Sequence, residues 1–200
     1  RVDARPTKNY LMINNTDSLY PFVIPVEYPV AGEKPSKVKI GVISLATRIT
    51  NWLQIPGDPE NNYLPRMDWA GNNRDIMVVQ LNRKQNEATL YMCNAITGKA
   101  GKIYTDSDSA WVDVVKPFGW DGPSWTWVEN GKSFLWTSEK DGWMHIYKVS
   151  RDGKNETLLT KGNFDADMVA YDNAGQNIYF YAAPYDATQK YLYRVHINST

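Results

Sequence analysis

The sequence predicts an all-β fold built from repeated four-stranded antiparallel sheets. Three observations carry that expectation. Short runs rich in β-branched and aromatic residues recur along the 200 residues, bounded by Gly, Asn and Asp. Helical periodicity is hard to find between them. The runs also repeat in a fixed order, with Trp69, Trp127 and Tyr171 in matching places 58 and 44 residues apart.

Taken in chain order, the first feature is residues 17–33, DSLYPFVIPVEYPVAGE, which are apolar but interrupted by Pro21, Pro25 and Pro29. Proline donates no ladder hydrogen bond, so this stretch is not expected to be a central strand. It holds Leu19, Tyr20, Phe22, Val23, Ile24 and Val26 within eight residues. Such a contiguous apolar surface points either to a segment packed on its own sheet or to an arm that packs on a second copy. Residues 38–45 (VKIGVISL) then read as a strand with Val38, Ile40 and Val42 on one face.

Three copies of one pattern follow. The first runs through MDWAGN at 67–72, DIMVVQL, ATLYMC and KIY at 102–104. The second runs through WTWVENG at 125–131, SFLWT, MHIYKV and TLLT at 157–160, with Asn130-Gly131 and Asp152-Gly153 as hairpin signals. The third runs through MVAYDNAG at 168–175, NIYFY and YLYRVHI. An insertion between Asp106 and Ser124 explains the longer first spacing. Four short antiparallel strands every 40 to 50 residues or so mark a β-propeller blade. The expected division is 1–37 as an incomplete blade with a projecting arm, 38–66 as a partial blade, 67–123 as a blade with an insertion, 124–163 as a blade and 164–200 as an incomplete blade. That makes about three and a half blades of a larger ring. Trp69, Trp127 and Tyr171 are expected to be buried at equivalent places.

Composition narrows the function. Positive and negative side chains balance at 22 each, so no strong field is available to hold a phosphate backbone, and nucleic acid is not expected as a partner. No run of 18 apolar residues is present, so no membrane-spanning segment is expected. Cys93 is the only cysteine, which leaves neither a disulfide within the chain nor a cysteine-based zinc site. Neither a G-x-S-x-G elbow, nor H-E-x-x-H, nor a phosphate-binding glycine loop occurs. His145 and His196 sit inside strand-like runs and read as structural. Asp106, Asp108 and Asp113 near Trp111, and Asp165 and Asp167, read as loop or turn carboxylates, because calcium in an EF-hand would need more ligands and a closing Glu. No catalytic residue, metal or cofactor is therefore expected in the chain.

Four ordered motifs resemble the dipeptidyl peptidase IV family: YPVAG at 28–32 followed by VKIGV at 38–42, LNRKQN at 81–86, SEKDGWMHIY at 138–147 and LTKG at 159–162. The likeness runs from about Tyr20 to Ile197. It implies an N-terminal eight-bladed propeller above a C-terminal α/β-hydrolase domain that carries a Ser-Asp-His triad and removes N-terminal X-Pro or X-Ala dipeptides. That hydrolase domain is absent from these residues, as is the family's Glu-Glu pair that grips the substrate amine. The expected partners are thus the hydrolase domain of the same parent chain, a peptide substrate and a homodimer mate. A periplasmic or secreted location is implied by the resemblance alone. By the same resemblance, Val114, Val115 and Lys116 fall in the loop that lines the extended substrate cleft. Some members place an Arg and a Phe there, where this chain has Val and Lys. Leu19, Tyr20, Phe22, Val23, Ile24 and Val26 correspond to a dimerisation arm. Two rival expectations are a stand-alone binding propeller and the propeller of another prolyl-oligopeptidase relative.

Overall fold

The computed structural model describes residues 1–114 and 125–199, and within them the chain is all-β, with several antiparallel sheets. Strands β7 (Asn62–Trp69), β8 (Asp75–Asn82), β9 (Glu87–Asn94) and β10 (Ala100–Ser107) form one four-stranded meander. Strands β11 (Trp125–Val128), β12 (Ser133–Ser138), β13 (His145–Ser150) and β14 (Glu156–Leu158) form a second. A third sheet holds β15 (Asp167–Asp172), β16 (Asn177–Ala182) and β17 (Tyr191–His196). Before them lie three strand pairs of which two, β1 (Val2–Asp3) with β4 (Lys37–Val38) and β5 (Gly41–Ile43) with β6 (Thr50–Trp52), share one edge of the molecule. The Lys39 amide donates to the Arg1 carbonyl, and the Leu53 amide donates to the Ile40 carbonyl. The two pairings therefore meet at Lys39-Ile40. This is where the single strand expected over 38–45 breaks in two, as its backbone bonds change from one neighbour to the other.

Period-two alternation sets the packing. In β8, Ile76 and Val78 face Ile40 and Leu53, which flank the N-terminal strands, while Met77, Val79 and Leu81 face the second sheet. Both faces are covered, so the strand reads as a nearly continuous apolar run. Trp125, Phe134, Trp136, Tyr147 and Val149 meet the first sheet. Val128, Leu135 and Ile146 turn the other way, onto Met168, Ile178, Phe180 and Ile197 of the third sheet. The first and second sheets are thus each sandwiched between their neighbours in sequence order.

The turns allow this close approach. Gly153 has φ +72, and a Cβ there would lie 1.7 Å from the Ile103 carbonyl oxygen of the first sheet. Only glycine meets both demands. Beside it, the Arg151 guanidinium donates to the Ala70 carbonyl at 2.7 Å, the Gly131 carbonyl at 3.1 Å and Asp75 Oδ2 at 3.0 Å. It also lies 4.9 Å from the Trp127 ring centroid. Burial pushes the Asp75 carboxyl up, but hydrogen bonds from Asn72 and Arg151 outweigh it and hold the group below its ordinary range.

Trp69, Trp127 and Tyr171 do occupy equivalent places: each pairs across the first hairpin of its sheet, with Ile76, Phe134 and Ile178 respectively. Their burial differs from the expectation. Trp127 and Tyr171 are half-buried, whereas Trp69 is 45% exposed. Directly opposed residues share a face, and in each case that face looks back at the preceding sheet. Trp127 and Tyr171 look back at four strands, but Trp69 looks at the shorter N-terminal pairs. Trp127→Ala should therefore cost about 2 to 3 kcal/mol and Trp69→Ala about 1 kcal/mol or less. Urea unfolding of the two variants checks the order, and equal losses would show that the preceding sheet does not set the burial.

Candidate functional site

Successive connections of an antiparallel meander leave from opposite ends of the sheet. In the two complete sheets, 70–74, 95–99, 129–132 and 151–155 lie at one end. The other end gathers 83–86, 139–144 and the stretch that follows β10, and in the third sheet 183–190 lies there too. This second end bears the aromatic-rich loops, with Trp111 and Trp143 exposed and Tyr185 almost fully so. Loops on a rigid scaffold are where binding groups usually gather.

Between the first two sheets this end holds a cavity of about 160 Å³, lined by Asp106, Asp108, Trp111, Asp113, Ser138 and Glu139 among others. Asp106 was expected in a loop; it is instead a buried residue of β10 and accepts a 2.8 Å hydrogen bond from Trp136 Nε1. Sequence reasoning had no signal for that, because the pairing joins residues 30 positions apart in different sheets. Asp108 and Asp113 are exposed loop carboxylates as expected. Lys140 lines the rim, yet its ammonium turns to Glu156 and the Tyr104 hydroxyl and sits 4.1 Å over the Tyr147 ring. Among the described lining residues Lys140 is the one cation, and these bonds turn it away from the carboxylates. Partial desolvation raises the Glu139 carboxyl above its ordinary range, and Asp113, Asp165 and Asp108 raise it further. Tyr104 moves the same way, through burial first and then through the hydrogen bond to Glu156. Cys93 is buried, and desolvation pushes its thiol up to about 11, which leaves it unreactive.

The remaining sequence-derived candidates separate into three places. Val114 is half-buried and packs on the core between the first two sheets, while Val115 and Lys116 lie outside the described residues. His145 is buried in β13, with Nδ1 2.8 Å from Asp141 Oδ2, and its partners include no serine. His196 ends β17, where its Nδ1 accepts from the Asn198 amide. Among the described residues no group of three or more metal-ligating side chains converges, and no helix is long and apolar enough to cross a membrane.

The proline-interrupted segment forms a hairpin. Among the described residues β3 (Phe22–Glu27) pairs only with β2 (Asn9–Asn14), with Asn9 opposite Glu27 and Asn14 opposite Phe22. A two-stranded ribbon has open edges, so it tolerates Pro25 where a central strand would not. Leu19 is 90% exposed and Tyr20 78%; Phe22, Val23 and Ile24 are exposed too, and Val26 is half-buried. Both faces are apolar: Tyr10, Met12, Phe22, Ile24 and Val26 on one, Leu11, Ile13 and Val23 on the other. At its base Lys8 pairs with Glu33, and Arg83 of the turn after β8 donates to the Glu33 carbonyl at 2.8 Å. The hairpin base therefore stands at the same end as the cavity.

Comparison with known proteins identifies the family. Residues 1–200 match the family described as the dipeptidyl peptidase IV (DPP IV) N-terminal region. A dipeptidyl peptidase 4 of Trichophyton equinum is 23% identical over 181 residues, covering 88% of this chain and 23% of its own length. An inactive dipeptidyl peptidase 10 of Rattus norvegicus is 28% identical over 210 residues, covering 92% of this chain and 25% of its own length. The chain thus spans about a quarter of the length of these relatives. Among solved structures, a putative dipeptidyl aminopeptidase IV from Bacteroides ovatus superposes with a TM-score of 0.83 at 23% identity, over 100% of this chain and 30% of that one. Porphyromonas gingivalis dipeptidyl peptidase 4 superposes with a TM-score of 0.80 at 28% identity, over 96% of this chain and 26% of that one.

The raised Glu139 carboxyl has a stability consequence. The folded state favours its neutral form, so its contribution is fully present below the ordinary value near about pH 4 and is lost as pH rises through the higher folded value. Glu139→Gln should raise the melting temperature at about pH 7 and leave it unchanged near about pH 4. Thermal unfolding at both pH values checks this; a lower melting temperature at neutral pH would mean that the ionised group is stabilising.

Proposed function

The chain belongs to the dipeptidyl peptidase IV N-terminal region family, and we propose that its sheets are blades of the β-propeller of a dipeptidyl peptidase IV-like serine exopeptidase. One observation carries the reading. Successive antiparallel meanders, two of four strands and one of three, pack face to face in chain order, across a segment that matches the family from end to end. Radial stacking of such sheets buries both faces of each and protects their edges.

In this reading the chain supplies shape and not chemistry. Catalysis belongs to an α/β-hydrolase domain of the same parent, which removes X-Pro or X-Ala dipeptides from peptide N-termini. The loop around Trp111 to Val114, continuing into Val115 and Lys116, borders the substrate's path. The carboxylates beside it favour substrates that are cationic at that point. The hairpin arm meets its own copy through Leu19, Tyr20, Phe22, Val23, Ile24 and Val26 in a homodimer of the parent, and a periplasmic or secreted location for that parent rests on the family resemblance alone. A two-faced apolar ribbon of this size is unusual on a monomer.

A second reading has a specific observation behind it. The inactive rat relative is 28% identical, as much as the Porphyromonas gingivalis dipeptidyl peptidase 4 and more than the 23% of the Trichophyton peptidase, so identity does not separate a cleaving parent from an inactive one. In this second reading the same propeller serves a parent that binds without cleaving. The longer protein should release product from a Gly-Pro chromogenic dipeptide, while the 200-residue chain alone releases none. A folded longer protein with no turnover would favour the inactive reading, and turnover by the isolated chain that resists serine-directed inhibitors would overturn both.

The arm has its own test. Phe22→Asp combined with Ile24→Asp places two charges on one apolar face of the ribbon and should convert a dimeric parent into a monomer. Light scattering reads the mass directly, and an unchanged dimer would remove the arm from the interface.

A further inference from the structure

The turn between β8 and β9 touches both candidate places at once. On one side, Arg83 donates from Nη2 to the Glu33 carbonyl at 2.8 Å and from Nη1 to the Tyr63 hydroxyl. Its guanidinium also lies 5.6 Å from the Tyr63 ring centroid. Glu33 closes the base of the arm, since its amide donates to Val30 and its carboxylate pairs with Lys8. On the other side, the Gln85 carbonyl accepts from the Val112 amide at 2.8 Å and the Asn86 carbonyl accepts from the Asp108 amide at 3.1 Å. Those two bonds hold the described part of the loop after β10.

The turn itself is stiff. Asn82 Oδ1 accepts from the amides of Asn86 and Glu87, and its Nδ2 donates to Asn86 Oδ1. Gln85 is held at φ 57, and its amide donates back to the Asn82 carbonyl. The side-chain bonds leave the turn few alternative conformations. A short rigid turn gripping two longer, more exposed segments is a link between them.

We propose that Arg83 is a positioning residue which, through the turn 82–86, holds the arm base and the cleft loop 108–112 in one fixed relation. A displacement of the arm by a bound partner is then passed to the loop. The functional meaning of that coupling rests on the reading of the arm and loop given above, but the mechanical link does not. The guanidinium is required because it reaches the Glu33 carbonyl and the Tyr63 hydroxyl together; an ammonium has neither the fork nor the planar contact.

The test is hydrogen exchange on the longest chain that carries these residues. The reporters are the amides of Glu33, Asp108 and Val112, each a donor in the bonds described. Arg83→Ala should speed exchange about tenfold in peptides covering 28–36 and also in those covering 108–112, while β8 and β9 exchange at the parent rate. Arg83→Lys should restore neither segment fully. Tyr63→Phe removes only one acceptor; it should show a smaller effect in the same two segments, and it serves if Arg83→Ala does not fold. Faster exchange at 28–36 with 108–112 unchanged would overturn the link, as would no change at either. A uniform increase that includes β8 and β9 would also overturn it, since that is loss of stability and not of position. These readouts do not depend on dimerisation, so failure of the arm as a dimer contact and failure of this link are told apart.

Discussion

Everything in this molecule depends on strands that are apolar on both faces. A sheet with one apolar face can rest on a single neighbour, but β8 and β12 need one on each side. The consequence is serial packing, in which each sheet is finished by the next. Arg151 fastens the first such contact at its edge, reaching back to Ala70 and Asp75 of the previous sheet while it holds Gly131 of its own. Its charge is not stranded, because the Asp75 carboxyl is held below its ordinary range beside it and the Ala70 and Gly131 carbonyls accept from Nη1. The exposure of Trp69 follows from the same rule, since the sheet it looks back at is short.

Serial packing also divides the labour between the two ends of the sheets. One end has tight turns in which Gly71, Gly131 and Gly153 bring backbones together. The other end is released from that constraint and carries the longer loops, the cavity and the arm base. Charge follows the same division. Lys140 is drawn into a network with Tyr104, Tyr147 and Glu156 between the first two sheets, which leaves Asp108, Asp113 and Glu139 facing solvent without it. The carboxylate-rich lining of the cavity thus goes with how the sheets are fastened.

Much of this was legible in the residues. Alternating and continuous apolar runs set the strands, glycine and asparagine set the turns, and the spacing of Trp69, Trp127 and Tyr171 set their equivalence, because these are local properties of the backbone and its side-chain period. The prolines at 21, 25 and 29 kept 17–33 out of a central sheet for an equally local reason. Four motifs in order were enough to place the chain in its family. Tertiary structure decided what depends on who the neighbour is. Asp106 became a buried acceptor only because Trp136 of the next sheet reaches it. Trp69 stayed exposed although its sequence position matches that of Trp127. Arg83 reaches the arm base at Glu33 and the ring of Tyr63 in β7, partners 50 and 20 residues away. A one-dimensional pattern records which face a side chain takes, but burial, pairing and charge balance depend on the surface that meets that face, and only the packed sheets supply it.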